Sequence, residues 1–94
     1  KDNPDQPFLY FTLGNLYASQ SRWPEAQQAF FDAYRQDSSN PDYAFNLAVS
    51  LDQLGHPKTA LDYYKKARRL AGNGEASFDV SSLSARISTL EGAQ

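Results

Sequence analysis

The sequence contains no cysteine and no methionine, and its 94 residues include one tryptophan and one histidine. Without cysteine, neither a disulfide nor a cysteine-based zinc site can stabilise the fold, so side-chain packing has to do so. The single histidine, His56, precedes a proline in a predicted turn, and Asp52 and Asp62 have no partners evident in the sequence. Because nucleophilic catalysis needs a base beside the nucleophile, we predict that the protein is not an enzyme, binds no metal and needs no cofactor.

Charge of one sign is also scarce. The chain has 9 basic and 11 acidic residues, a formal net charge of −2, which is too small to favour a nucleic acid or an anionic membrane. No apolar run approaches the roughly 20 residues of a membrane span. We therefore expect a protein or peptide partner, no nucleic acid and no direct membrane insertion. The composition is that of a soluble domain, cytoplasmic or bacterial periplasmic, and does not distinguish the two.

The sequence does contain an internal repeat with a period of 34 residues. Residues 7–40 and 41–74 align without a gap. A period of this length is typical of stacked units of secondary structure, each too small to bury its apolar face alone. The identical pairs are Pro7/Pro41, Phe11/Phe45, Leu13/Leu47, Ala26/Ala60, Ala33/Ala67 and Arg35/Arg69.

Apolar spacing, together with proline and glycine, predicts five helices. Their predicted bounds are 7–20, 24–36, 41–54, 57–71 and 78–91. Trp23 and Asn40 are predicted caps ahead of prolines that open helices two and three. Gly55 is a predicted helix stop, and Ser77 a predicted cap of the fifth helix.

Small residues recur where the helices of each unit have to approach closely. Gly14 and Ala48 hold equivalent places on the first helices, and Ala26 and Ala60 do so on the second helices. The pattern resembles the tetratricopeptide repeat signature. The residues that carry the resemblance are Tyr10, Leu13, Gly14, Tyr17, Ala26, Phe30 and Ala33, and again Leu47, Ala48, Leu51, Ala60, Tyr64 and Ala67.

The resemblance implies an all-α fold, a right-handed superhelix of helix-turn-helix repeats with about five helices. It divides the chain into a disordered lead-in (1–6), a first repeat (7–40), a second repeat (41–74) and a capping helix with its tail (75–94). Two repeats are few for this family, so we expect a longer parent protein.

In this family the first helices of successive repeats line a concave groove that binds protein partners. The resemblance places eight residues in a partner-binding groove here, with Ser19 beside them: Phe8, Phe11, Asn15, Asp42, Phe45, Asn46, Val49 and Gln53. Phe11 and Phe45 are expected to anchor a peptide or helix, and Asn15 and Asn46 to form directional hydrogen bonds.

The predicted function is therefore a non-catalytic protein-interaction module within a larger scaffold or assembly protein. A fainter likeness to bacterial envelope proteins that assist pilus or secretion assembly points to that setting. The alternative is a structural self-association element, in which the tail helix fills the groove. A homodimer through Tyr34 and Tyr63 is one form that such self-association would take.

Overall fold

The computed structural model describes residues 6–73 and 76–92. Within these residues there are five α-helices and no strand: α1 (Gln6–Ser19), α2 (Trp23–Gln36), α3 (Pro41–Gln53), α4 (Pro57–Leu70) and α5 (Val80–Gly92). A short 3₁₀ turn, Ala71–Asn73, follows α4. The predicted all-α class is confirmed. Of the predicted lead-in only Gln6 is described, as the first residue of α1, and residues 1–5 lie outside the described part.

Local sequence signals explain where the helices begin. Pro41 and Pro57 open α3 and α4 as predicted, and the Asn40 side chain accepts hydrogen bonds from the first-turn N–H groups of α3. The prediction for α2 is wrong by one residue. Trp23 is itself the first helical residue and Arg22 precedes the helix, since the proline at the second helical position already lacks an N–H that would need a partner.

The predicted start of the fifth helix is also wrong, by two residues. Asp79, rather than Ser77, caps α5. Its Oδ1 atom accepts a hydrogen bond from the Ser81 N–H at 3.1 Å, and its Oδ2 atom accepts one from the Ser82 hydroxyl at 2.9 Å. A carboxylate is a strong acceptor for the N–H groups of a first turn, so the helix begins directly after Asp79.

The turns after α1 and α3 have the same geometry. Ser21 and Gly55 both have positive φ, 58° and 82°. The Gly55 N–H donates to the Asp52 carbonyl at 3.1 Å, and the next N–H donates to the Leu51 carbonyl at 2.9 Å. The turn at Ser21 repeats both bonds at 2.9 Å. This is the Schellman motif, and it ends the first helix of each unit.

Consecutive helices pack in sequence, α1 on α2, α2 on α3, α3 on α4 and α4 on α5. Gly14 permits a close approach of α1 to α2, because a Cβ atom there would lie 2.5 Å from the ring of Phe30. The α5 helix closes one end of the stack with three buried side chains, Leu83, Ile87 and Leu90. The core is made mainly of small and bulky residues that alternate along the helices: Ala26, Phe30, Ala44, Leu47, Ala48, Leu51, Ala60, Leu61, Tyr64 and Ala67.

Candidate partner-binding groove

The predicted groove residues lie on α1 and α3, and they differ in how far they reach solvent. Phe8 is 60% exposed. Asn15 and Gln53 are exposed as well. The remaining five residues are half-buried: Phe11, Asp42, Phe45, Asn46 and Val49. The α1 side of the predicted groove is therefore the more open side.

Phe11 packs into the structure and is not a free ring. Its centroid lies 5.7 Å from that of Phe30 and 5.0 Å from that of Tyr43, with both pairs tilted. Tyr43 is itself buried, and burial together with the charges of Asp37 and Asp42 raises the pKa of its hydroxyl. Phe11 thus joins α1 to α2 and α3, and a partner would meet only part of its ring.

Phe45 is covered by another part of the same chain. The Phe78 ring stacks on it with a centroid distance of 4.4 Å and an interplanar angle of 16°. Beside this pair, the Ser77 N–H donates to Asp42 Oδ1 at 2.9 Å. The alternative hypothesis placed the tail helix over the groove. In the structure Ser77 and Phe78, which contact Asp42 and Phe45, belong to the link before α5 and not to the tail helix.

The two predicted hydrogen-bonding residues, Asn15 and Asn46, also differ in how open their side chains are. The Asn46 side-chain amide donates to the Asp42 carbonyl at 2.9 Å, within α3. The Ser50 hydroxyl donates to the Asn46 carbonyl at 3.1 Å, one turn further along. One N–H of the Asn46 side chain is therefore already hydrogen-bonded within α3, whereas the Asn15 side chain is exposed on α1.

A polar cluster next to the groove residues was missed by sequence reasoning, which found no partner for Asp52. The Tyr64 hydroxyl donates to Asp52 Oδ2 at 2.9 Å. Arg86 donates to both carboxylate oxygens, from Nε at 2.8 Å and from Nη2 at 2.7 Å. The cluster joins α3, α4 and α5. The only sequence signal was Tyr64 itself, which stands where the first unit has Phe30 and so adds one hydroxyl in need of a partner.

The cluster shifts the pKa of all three groups. The hydrogen bonds from Arg86 hold the pKa of the Asp52 carboxyl below its ordinary value, with a further contribution from Tyr64. Burial, followed by the bond to Asp52, raises the pKa of Tyr64, and the same carboxylate raises the pKa of Arg86. Each shift keeps Asp52 and Arg86 charged and Tyr64 neutral, so the cluster stabilises the contact of α5 with the repeats.

The outer aromatic residues contact one another. The rings of Tyr34 and Tyr63, on α2 and α4, meet edge to face with centroids 5.4 Å apart. The Lys66 ammonium lies 4.8 Å from the centroid of Tyr63. On the same helix the Lys65 ammonium pairs with Glu91 at 2.9 Å, which lowers the pKa of that carboxyl. Lys65 and Lys66 of α4 are therefore both engaged within the molecule.

Residues 6–73 and 76–92 contain no group of three or more histidine, cysteine, aspartate or glutamate side chains that could hold a metal ion. In the same part of the chain, no helix combines the length and the apolar character needed to cross a membrane.

Two solved structures resemble this fold over nearly its whole length. The solution NMR structure of a tetratricopeptide repeat domain protein from Salinibacter ruber has a TM-score of 0.78 at 19% identity, covering 99% of this chain and 94% of that one. A crystal structure of a tetratricopeptide repeat domain protein from the same organism has a TM-score of 0.79 at 19% identity, covering 94% and 99%. This chain has the tetratricopeptide repeat fold.

Sequence comparison finds relatives that match part of the chain. The chain is 40% identical over 60 residues to Protein HemY of Escherichia coli K12 and, over the same length, to Protein HemY of Shigella flexneri. The match covers 64% of this chain but spans only 15% of the length of those relatives. No family model matches the chain.

Proposed function

We propose that this tetratricopeptide repeat domain binds a protein partner, as a peptide or a helix, along the groove formed by α1 and α3. The observation that carries the proposal is the exposed ring of Phe8 at the open side of that surface. A large exposed apolar side chain beside further apolar residues is typical of an interaction site. The general use of the fold in protein interaction supports the same conclusion.

The chemistry of the surface indicates what kind of segment it accepts. The eight groove residues include no lysine or arginine. Their one carboxylate, Asp42, already accepts a bond from the Ser77 N–H. A carboxylate ligand needs charge-assisted donors, so we propose a partner with an apolar or aromatic anchor and neutral polar groups. The net charge of −2 leads us to exclude a nucleic acid partner from the proposal.

Phe8 is the better anchor for a test, because Phe11 and Phe45 also hold the structure together. We would select binders from a display library of peptides against the intact chain and measure their Kd. Phe8→Ala is expected to weaken binding by a factor of ten or more if this ring is a hot spot. Leu9→Ala is the matched control, since Leu9 is exposed to a similar extent on the neighbouring stripe of α1.

One result would contradict binding in the groove. If Phe8→Ala leaves the Kd unchanged while Leu9→Ala weakens binding, the partner lies on the other stripe of α1. Circular dichroism and thermal unfolding of both variants verify that neither change alters the fold.

We further propose that the domain belongs to a larger scaffold protein of pilus or secretion assembly. Its support is the likeness of the sequence to bacterial envelope assembly proteins, together with relatives several times its length. Affinity capture with the intact domain, followed by mass spectrometry, tests it. A captured pilus or secretion component that depends on Phe8 supports the proposal, and its absence among Phe8-dependent partners contradicts it.

One observation favours the alternative, a structural element that covers its own groove: the stack of Phe78 on Phe45. If the link is a competitor, Phe78→Ala should tighten peptide binding. If Phe78→Ala has no effect on the Kd, the covered end plays no part in binding.

Sedimentation at several concentrations, with Tyr34→Ala and Tyr63→Ala, tests self-association through the outer aromatic residues.

A further inference from the structure

Most of the basic residues of the chain lie on one helix. The 14 residues of α4 include five of the nine basic residues and one acid, Asp62. The other 80 residues include four basic and ten acidic residues. The small net charge therefore combines a positive helix with a negative remainder. We call the positive part the basic surface of α4, and its residues are Lys58, Lys65, Lys66, Arg68 and Arg69.

Most charges of the basic surface are not paired with a carboxylate. Outside α4, by contrast, each basic residue that the structure describes forms an ion pair. These pairs are Arg22 with Glu25 at 3.2 Å, Arg35 with Asp32 at 3.2 Å and Arg86 with Asp52 at 2.7 Å. On α4 only Lys65 forms an ion pair with another described residue, Glu91, at 2.9 Å. The positive charge of this helix is therefore largely available to a ligand.

The internal repeat shows that the fold does not require this charge pattern. Arg35 and Arg69 are identical residues at equivalent places of α2 and α4. Three positions before Arg35 lies Asp32, which pairs with it, whereas three positions before Arg69 lies Lys66. Two further places are uncharged in α2 and basic in α4: Phe31/Lys65 and Tyr34/Arg68. The basic surface is thus a property of the second unit alone.

The arrangement also opposes the stability of its own helix. Like charges three or four positions apart on a helix repel each other. The basic surface contains three such pairs: Lys65 with Arg68, Lys65 with Arg69 and Lys66 with Arg69. The negative end of the helix dipole offsets part of the repulsion, and the ring of Tyr63 attracts Lys66 without removing its charge. Local conflicts of this kind are expected at functional sites, and an anion would relieve this one.

We propose that the basic surface of α4 binds an acidic segment of a protein partner. Guanidinium and ammonium groups form charge-assisted hydrogen bonds with carboxylates. Lys58 and Arg69 are 11 positions apart, which is about 16 Å along a helix. An extended chain advances about 3.3 Å per residue, so about six acidic residues span the surface. The groove lies on α1 and α3, so the proposal does not depend on the proposed function.

A short acidic segment fits this surface better than a membrane or a nucleic acid. Either of those large anions would also meet the negative remainder of the chain, which repels it. A helix that lies on a membrane needs large apolar side chains beside its basic residues. Of the described residues, the large apolar side chains that are exposed lie on α1 and at Val80, and none lies on α4.

Fluorescence anisotropy with a labelled hexaglutamate peptide and the intact chain tests the proposal. We expect binding in about 0.02 M salt that weakens in about 0.15 M salt, because salt screens exposed charges. Lys66→Gln with Arg69→Gln should raise the Kd about tenfold. Arg22→Gln with Arg35→Gln is the matched control, since it removes the same net charge from α2 and its start, and should change the Kd less than about twofold. Asp62→Asn should lower the Kd, because it removes the one carboxylate of α4.

Three results overturn the proposal. The first is no binding of hexaglutamate in low salt. The second is an equal loss of binding in the two double variants, which would mean that only the net charge matters. The third is binding of phosphatidylserine vesicles through Lys66 and Arg69 without binding of the peptide, which would assign the surface to a membrane. Circular dichroism verifies the fold of each variant. Peptides selected for the groove should keep their Kd in the Lys66→Gln, Arg69→Gln variant, so a failure here leaves the groove proposal intact.

Discussion

The matched turns after α1 and α3 allow one prediction to be worked out from backbone conformation alone. Ser21 and Gly55 have the same hydrogen bonds and both have positive φ, but only one of them is glycine. We expect Ser21→Gly to stabilise the protein and Gly55→Ser to destabilise it. Both residues are exposed, and a Cβ atom at Gly55 would have no neighbour within 4 Å, so side-chain packing contributes little to either change.

The size of the effect follows from two opposing contributions. A residue with a Cβ atom loses about 1–2 kcal/mol in the left-handed conformation, and Ser21→Gly removes that strain. The greater freedom of glycine in the unfolded chain returns about 0.4–1 kcal/mol. The net gain in the free energy of unfolding is about 0.5–1 kcal/mol. For a domain of this size, that is a rise in Tm of about 3–6 °C.

Thermal and urea unfolding of three variants test the reasoning. Ser21→Gly should raise Tm, Gly55→Ser should lower it by a similar amount, and the double exchange should return close to the parent because distant sites add. Ser38→Gly is the matched control. Ser38 is exposed in a turn, but its φ is not positive, so only the unfolded-state contribution applies and Tm should fall slightly. If Ser21→Gly lowers Tm as Ser38→Gly does, the strain at Ser21 does not exist.

Three further predictions concern packing and pH. Arg86→Ala should lower the free energy of unfolding by about 1 kcal/mol at pH 7, a value limited by the solvent exposure of Arg86. Because the pKa of Asp52 lies below its ordinary 3.8, this contribution is present above that pH and is lost as the pH falls through the lowered pKa. Urea unfolding of both proteins at pH 7 and at pH 2 measures the difference. An equal loss of stability at the two pH values contradicts the ion pair. Gly14→Ala should gain about 1 kcal/mol of helix propensity but lose about 1–3 kcal/mol from the contact with Phe30, so a higher Tm would show that the ring moves aside freely. Ile87→Ala should lower the free energy of unfolding by about 2–5 kcal/mol in urea unfolding, and a loss below 1 kcal/mol would mean that α5 is not part of the cooperative unit.

Much of the fold could be predicted from the sequence, because its signals act over a few residues. Pro41, Pro57 and Gly55 fix helix starts and a helix stop through their own backbone preferences. The period of 34 residues then requires two similar units. The prediction is wrong where two residues could serve as the cap, as at the start of α5, where Asp79 rather than Ser77 accepts the hydrogen bonds of the first turn.

Less of the candidate site could be predicted. Phe11 and Phe45 are identical in the repeat alignment, and from sequence they have the same role. In the structure Phe11 contacts Phe30 and Phe45 contacts the equivalent Tyr64, but the second neighbour of Phe11 is Tyr43 on α3, whereas that of Phe45 is Phe78 on the link before α5. The position of Phe78 depends on the path of the link after α4, and no local pattern encodes that path. The groove residues as a set remain a prediction that the binding experiments test.

The sequence by itself determined which segments are helical and where four of the five helices begin to within one residue. It also determined that α1 with α2, and α3 with α4, form similar pairs. These properties depend on hydrogen bonds and side-chain periodicity within about one turn of helix. Only the tertiary structure decided which of two identical residues is buried, as with Leu13 and Leu47, and that Asp52 meets Arg86 across 34 positions. Burial and ion pairing depend on which helix lies next in space, and that neighbour is set by the packing of the whole stack.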